Sequence, residues 1–327
     1  MRYVNLGNSS IKVSVIALGA WAIGGKWWGG TDEKDSIDAI NAALGTGVNF
    51  IDTAPAYGQG LSEEIVAKAI KGKRDKVIIA TKCGLRWSIK EGAYFFDYSP
   101  GIPMHRYLGK ESIKYEIGES LRRLQTDYID LYQTHWQDPT TPISETMEVL
   151  LGLKDKGLIR AIGASNASLE QLTQYKGCGI INTDQEKYSL IDREVEAEML
   201  PWCTDNGLSM LAYSPTAKGL LSGKISPERA FAEGDSRIGE TRFTPENILK
   251  ANNMLEKHLK DVADKHNASY AQLATAWLVK NPSVISLSGA RNEKQALENS
   301  LAGDIVLDSE DLGKFLDFTN DFEKTFS

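Results

Sequence analysis

Four side chains have the types and the placement for acid–base chemistry at a carbonyl group: Asp52, Tyr57, Lys82 and His135. A phenol in water holds its proton to about pH 10, too tightly for easy release near neutrality. An ammonium beside it favours the phenolate and is expected to pull its pKa toward the working range, and a carboxylate hydrogen-bonded to that ammonium keeps it charged and aimed. Tyr57, Lys82 and Asp52 supply that set, and His135 adds a group able to orient a carbonyl oxygen and relay a proton. Such a site protonates a carbonyl oxygen as something else attacks the carbon, or runs the reverse. Taken singly, an aspartate after a strand is usually a turn former and a lone tyrosine usually packs. What joins these four is where their elements end.

Residues 48–52 read as a short buried strand that breaks at Ala54-Pro55, because the residue before proline leaves the helical region and proline has no N–H for a ladder. A loop carrying Tyr57 follows. Gly58 and Gly60 allow a turn, and a helix is predicted over 62–70, with its cap at Ser62 and the acids Glu63 and Glu64 in its first turn. The apolar run 77–82 ends on Lys82, and the run 128–134 leads to His135. Where parallel strands feed helices, the carboxyl ends of the strands form one rim, and chemistry sits on it.

The rest of the chain repeats that unit. A hairpin over 3–13, with a polar turn at Gly7-Asn8-Ser9, precedes a first buried strand at 15–19 and suits the bottom of a barrel. Further strands are predicted at 159–164, 180–185, 208–213 and 284–288, and helices over 33–44, 110–124, 143–156, 169–175, 195–205, 245–266, 270–280 and 293–301. That is about eight strand–helix units, the number that closes a (β/α)8 TIM barrel, with a doubly wound open sheet as the alternative. A C-terminal accessory helix over 308–322, with Leu312, Phe315, Leu316 and Phe318 toward one side, is expected across the outside. Two irregular stretches, 83–107 and 214–244, are long enough to be lids or binding loops.

The 327 residues suit a single barrel domain, and 37 basic against 44 acidic side chains, a net charge of −7, leave no basic surface for nucleic acid or an anionic membrane. No apolar run approaches the roughly 18 residues of a spanning helix. The N-terminus has no apolar signal core, so a cytoplasmic enzyme is expected. Cys83, Cys178 and Cys203 lack CxxC spacing and suit reduced thiols, and His105, His135, His258 and His266 are scattered, so no metal site is expected. Gly58-x-Gly60-x-x-Glu63 opens a helix after a strand, yet it lacks the third glycine of a dinucleotide fingerprint.

Asp52-Thr53-Ala54-x-x-Tyr57-Gly58, Ala80-Thr81-Lys82, Gln133-Thr134-His135-Trp136, Gly163-Ala164-Ser165-Asn166, Ala212-Tyr213-Ser214-Pro215 and Gly289-Ala290-Arg291 with Gln295 and Asn299 together resemble the aldo-keto reductase superfamily, over nearly the whole chain. The resemblance implies a (β/α)8 barrel that binds a nicotinamide dinucleotide extended over the rim, with Tyr57 as general acid in reduction and Asp52, Lys82 and His135 completing a tetrad. It also implies that Tyr213 stacks on the nicotinamide, that Ser165, Asn166 and Gln185 hold the carboxamide, and that Ser214, Leu220 and Lys224 follow the pyrophosphate. At the far end, Gly289-Ala290-Arg291 precedes a helix whose N-terminal amides favour anions. Arg291, Gln295 and Asn299 recur every fourth residue and share a face. A guanidinium there suits a 2′-phosphate, and Gln295, Glu298 and Asn299 suit adenine and ribose, which favours NADP(H) and leaves NAD(H) usable.

Trp21, Trp27, Trp28, Trp87 and Trp136 all fall on loops at the active face. Trp21, Trp28, Trp87 and Trp136, near Arg86, Lys90 and Arg106, suit a small-molecule substrate: a sugar or polyol carbonyl, or a general aldehyde or ketone. Loop anchoring accounts for these tryptophans equally well. Two rival functions fit the same barrel. One is a cofactor-sensing interaction protein like the potassium-channel β-subunits, which the chain also resembles; the other is a Schiff-base aldolase working through Lys82 or Lys187.

Overall fold

The computed structural model describes residues 1–87 and 89–326. The chain opens with an antiparallel hairpin, β1 (Tyr3–Asn5) and β2 (Lys12–Ser14), and then enters the first barrel strand, β3 (Ile16–Gly19). Helix α1 (Glu33–Gly45), β4 (Phe50–Asp52), α2 (Leu61–Ala69) and β5 (Ile78–Cys83) follow. Three short strands, β6 (Leu85–Trp87), β7 (Ala93–Ser99) and β8 (Ile102–Arg106), come before α3 (Lys110–Leu124). The alternation then runs β9 (Ile129–Thr134), α4 (Ile143–Asp155), β10 (Ile159–Ser165), α5 (Leu169–Cys178), β11 (Thr183–Lys187), α6 (Met199–Asp205) and β12 (Ser209–Tyr213). Helices α7 (Pro245–His266) and α8 (Tyr270–Val279), strand β13 (Val284–Gly289), α9 (Glu293–Leu301) and α10 (Ser309–Phe326) complete the chain. Eight parallel strands, β3, β4, β5, β9, β10, β11, β12 and β13, close into a barrel, with β13 pairing back onto β3. The open-sheet alternative is thereby excluded.

Strand parity decides which side chains reach the interior, because successive residues point to opposite faces. Ala17, Phe50, Ala80, Leu131, Ala161, Leu211 and Ile285 fill the barrel, one from nearly every strand, and Leu6, Ile11 and Val13 of the hairpin pack beneath them as a plug. Since Phe50, Ala80 and Leu131 point inward, Asp52, Lys82 and Gln133, two residues on, do so as well.

Three departures from the expected elements have physical causes. The stretch 83–107 is not irregular: β6, β8 and β7 form an antiparallel sheet, hidden in the sequence because register shifts at Tyr94/Phe96 and Asp97/Ser99 break the period of two. Ser62 is not the cap of α2. The chain enters that helix through Gly60 at φ +102, where a Cβ would lie 2.6 Å from the Arg123 side chain, and the Ser62 hydroxyl instead donates to the Ala20 carbonyl at 2.9 Å. On α10, Phe315, Phe318 and Phe322 are buried against the barrel's outer layer while Leu316 is 55% exposed, off the buried face. His258 and His266 of α7 sit 2.8 Å from Asp321 and Asp311 and hold α10 in place.

Glu63 shows how tightly α2 is fixed over the strand that carries Lys82. It is fully buried, accepting from the Thr81 hydroxyl at 2.6 Å and from Arg123 Nε at 2.6 Å. Breaking a buried ion pair from one side leaves the other charge uncompensated. Glu63→Ala is therefore expected to cost about 3–5 kcal/mol of stability, read as a lowered urea midpoint; an unchanged midpoint would show that Arg123 finds another acceptor.

Candidate active site

The loop after β4 is shaped by close backbone packing. Gly58 has φ +68, and a Cβ there would lie 2.4 Å from the Gly24 carbonyl oxygen; a Cβ on Gly24 would lie 2.6 Å from the Tyr57 carbonyl carbon. Only glycine tolerates both approaches, so Gly24 and Gly58 together fix where Tyr57 stands. Its hydroxyl lies over the end of β5.

Lys82 is fully buried beneath it. Its ammonium donates to Asp52 Oδ2 at 2.7 Å, to the Thr53 carbonyl at 3.0 Å and to the Tyr57 hydroxyl oxygen at 3.2 Å. All three N–H groups are used. Asp52 Oδ1 accepts from Gln185 Nε2 at 2.9 Å and Gln133 Nε2 at 3.2 Å, so the carboxylate is held from both sides. Burial works against the Lys82 charge, but Asp52 and Tyr57 outweigh it and its pKa is raised. The ammonium is permanent at neutral pH.

Burial pushes the Tyr57 hydroxyl above its ordinary value, Lys82 offsetting part of that and Asp52 adding to it. This corrects the expectation that the lysine draws the phenol toward neutrality: desolvation of a phenolate in this enclosed site exceeds the attraction of an ammonium already matched by Asp52. The Tyr57 oxygen accepts from Lys82 and keeps its own proton to donate. His135 packs edge-on to the Tyr57 ring, with centroids 5.7 Å apart. Burial, and then Lys82, lower its pKa well below the usual histidine value, so the imidazole is neutral.

Beside this cluster the ends of β10, β11 and β12 form a polar corner. Ser165 Oγ donates to the Gln185 carbonyl at 2.9 Å, Asn166 Nδ2 to the His135 carbonyl at 3.0 Å, and the Tyr213 hydroxyl to Asn166 Oδ1 at 2.9 Å. Asn166 and Ser214 both have left-handed backbone, at φ +53 and +57. Such geometry costs about 1 kcal/mol or more per residue, and it gathers where a binding surface needs it.

A cavity of about 750 Å³ runs from this corner across the rim, within the size range of ligand sites. Asp52, Tyr57 and His135 line its floor, with Ser165, Asn166, Gln185, Tyr213 and Ser214 beside them. Lys224, Gly289, Arg291, Gln295, Glu298 and Asn299 line its far end. Lys224 pairs with Glu298 at 2.5 Å, whereas the Arg291 side chain donates to the Gly30 carbonyl at 2.9 Å and is otherwise open to an anion. Trp21, Trp28 and Trp136 are in the wall, with Phe95 and Phe96 of β7.

Two expected contacts lie elsewhere. The Leu220 side chain is buried in the hydrophobic core rather than in the cavity wall, so only its backbone is left to meet a ligand. Trp87 lines a separate cavity of about 80 Å³ with Arg86, because Phe95 and Phe96 occupy the wall in its place. Arg106 is set over the Phe95 ring, 5.2 Å from its centroid. None of the cations expected to face a sugar, Arg86, Lys90 and Arg106, lines the larger cavity. Lys218, from the stretch between Ser214 and Lys224 that the resemblance sets along the pyrophosphate, lines it, and so do two unforeseen cations, Arg229 and Arg237. Nothing in the spacing of Arg229 and Arg237 marks them; Arg237 is placed by its ion pair with Asp235 at 2.6 Å.

A dinucleotide fits this donor set. The cations that line it, Lys218, Lys224, Arg229, Arg237 and Arg291, suit the phosphates of a dinucleotide, with Trp28 and Ser236 beside them in the wall. Among the described residues no group of three or more His, Cys, Asp or Glu side chains is placed to hold a metal ion, and no helix is long and apolar enough to cross a membrane.

Known proteins share this fold. An aldo-keto reductase of Bacillus subtilis, YhdN, is 44% identical over 317 residues, covering 95% of this chain and 91% of that one. An Escherichia coli NADH-specific methylglyoxal reductase is 41% identical, covering 95% and 96%. Among solved structures, the glycerol dehydrogenase of Gluconobacter oxydans superposes with a TM-score of 0.87 at 34% identity, covering 97% and 94%. An aldo/keto reductase from Klebsiella pneumoniae, in complex with NADP and acetate, superposes at 0.72 with 27% identity, covering 96% and 94%. The model of the aldo/keto reductase family matches residues 15–318, and the chain belongs to that family.

Proposed function

We propose that the protein reduces small aldehydes and ketones with a nicotinamide dinucleotide, Tyr57 supplying the proton. The observation that carries this reading is the ammonium of Lys82, which donates to Asp52, Thr53 and Tyr57 at once and so leaves the phenolic proton directed away from it. A carbonyl oxygen in hydrogen-bond reach of Tyr57 accepts that proton, and neutral His135 orients it without competing as an acid. Reduced nicotinamide, when bound, supplies the hydride, which no side chain can. Tyr213, Ser165, Asn166 and Gln185 would hold the ring and its carboxamide; Gln185 keeps Oε1 as an acceptor while its amide nitrogen serves Asp52. Because Lys82 is held charged, it is a poor Schiff-base nucleophile, and Lys187 is tied to Asp192 at 2.7 Å. An intact proton-donating geometry likewise supports an enzyme over a purely sensing partner of a channel. A cytoplasmic setting suits this reading.

The wall of Trp21, Trp28, Phe95, Phe96 and Trp136 favours short carbonyl compounds over sugars with many hydroxyls to satisfy. Similarity to a methylglyoxal reductase and a glycerol dehydrogenase supports three-carbon oxygenated substrates. A panel of methylglyoxal, glyceraldehyde, aromatic aldehydes and hexoses, with each reduced cofactor and read by nicotinamide absorbance, tests this. Turnover of hexoses alone would overturn the substrate class, and no turnover of any carbonyl would overturn the reaction.

NADP(H) is the preferred cofactor in this reading, with NAD(H) usable. The Arg291 guanidinium at the cavity's far end would meet a 2′-phosphate, and an NADP-bound neighbour supports the choice, while the NADH-specific relative marks how narrow the margin is. Arg291→Ala should raise the Kd for NADPH about tenfold or more, the scale of a charge-assisted hydrogen bond, and leave that for NADH within about twofold. Equal losses in a fluorescence titration would remove Arg291 from phosphate recognition.

A further inference from the structure

We propose that Glu186 is a positioning residue for the nicotinamide end of the cavity, its carboxylate fixing the turn that presents Asn166. The inference rests on reading the cavity as a dinucleotide site. Thr183 and Gln185 of β11 point into the barrel, so Glu186 points outward, away from any ligand. From there it reaches over the end of β10, where Glu186 Oε1 accepts the Ala167 N–H at 3.0 Å. The Gln185 carbonyl accepts the Asn166 N–H at 3.1 Å and the Ser165 hydroxyl at 2.9 Å. Three consecutive residues of one strand end are thus tied to two of the next.

Two of those ties end on a backbone oxygen and survive any substitution. The third depends on the Glu186 side chain. Ala167 is 4% exposed, and α5, capped by Ser168, begins beyond it, so the helix does not serve its N–H. Among the described residues the Ala167 N–H makes no hydrogen bond other than the one to Glu186. With Glu186 shortened or made apolar, a buried N–H is orphaned exactly one residue after the left-handed Asn166. Relaxing that residue withdraws its amide from His135 and Tyr213 and unmakes the corner that would grip the carboxamide.

The test compares Glu186→Met and Glu186→Val, which lack the acceptor, with Glu186→Gln, which keeps it. NADPH and NADP Kd values, kcat at saturating cofactor, and melting temperature are measured for each. Either apolar variant that folds should raise both Kd values about tenfold with kcat within about twofold, and Glu186→Gln should restore binding to within about twofold of the unsubstituted protein. Wild-type Kd values in a folded apolar variant would overturn the proposal, as would a Gln variant that binds as weakly as the Met one. Absence of dinucleotide binding in the unsubstituted protein would overturn the cofactor reading itself, a result visible before any variant is made.

Discussion

Tyr57→Phe should lower kcat for carbonyl reduction about a thousandfold while leaving the Kd for NADPH within about twofold. The substitution removes one oxygen and keeps the ring, so the edge-on packing against His135 at 5.7 Å survives. The Lys82–Asp52 ion pair at 2.7 Å survives too, because the ammonium loses only its longest bond. What disappears is the proton that a carbonyl oxygen must receive. The pH dependence gives an independent check. With the Tyr57 pKa raised by burial, the phenol stays protonated through neutrality and beyond, and with the His135 pKa lowered well below the usual value, imidazole does not take up a proton there. Single-turnover reduction should therefore show no inflection near pH 6.5, and should decline only in strongly alkaline solution as Tyr57 ionises. Retention of full activity by Tyr57→Phe, or an inflection at pH 6.5 that vanishes in His135→Gln, would assign the proton to another group.

Most of this site was legible because chemistry and strand parity coincide. Asp52, Lys82 and His135 each close or follow an apolar run, and a single inward residue two or four positions earlier, Phe50, Ala80 or Leu131, settles the side on which they emerge. Gln133, which the sequence marks only as part of a motif and with no role of its own, shares a face with Leu131 and braces Asp52 at 3.2 Å. Long-range packing was not legible. The approach of Gly24 to Tyr57 joins residues far apart in sequence, and the burial of Glu63 depends on Arg123 arriving from α3. The sheet formed by β6, β7 and β8 was missed because its register shifts erase alternation, and with it the replacement of Trp87 by Phe95 and Phe96 in the cavity wall. The electrostatic error at Tyr57 has the same origin: sequence spacing brings an ammonium near a phenol but says nothing of how much water is excluded from both.

Lys82→Met should abolish turnover at least as completely as Tyr57→Phe and, unlike it, destabilise the fold by about 3–5 kcal/mol. Lys82 has no exposed surface, and its loss leaves Asp52 Oδ2 as a buried carboxylate oxygen without its cation. Gln185 and Gln133 still donate to Oδ1, but neutral amides compensate a charge only in part. The stranded charge also acts on Tyr57, whose ionisation Asp52 already opposes and Lys82 alone favours. Adding Asp52→Asn separates the two effects. The double variant removes both charges from the interior and should regain much of the lost urea midpoint, because it is the unpaired ion, rather than the missing pair, that costs the most. It should not regain activity, since no ammonium remains to stabilise the phenolate that forms as the proton leaves. A double variant less stable than Lys82→Met would mean that Asp52 contributes through its hydrogen bonds to Gln133 and Gln185 more than it costs as a charge. A double variant that turned over carbonyl substrate at the wild-type rate would leave Tyr57 acidic without help, and the ion pair would then be structural.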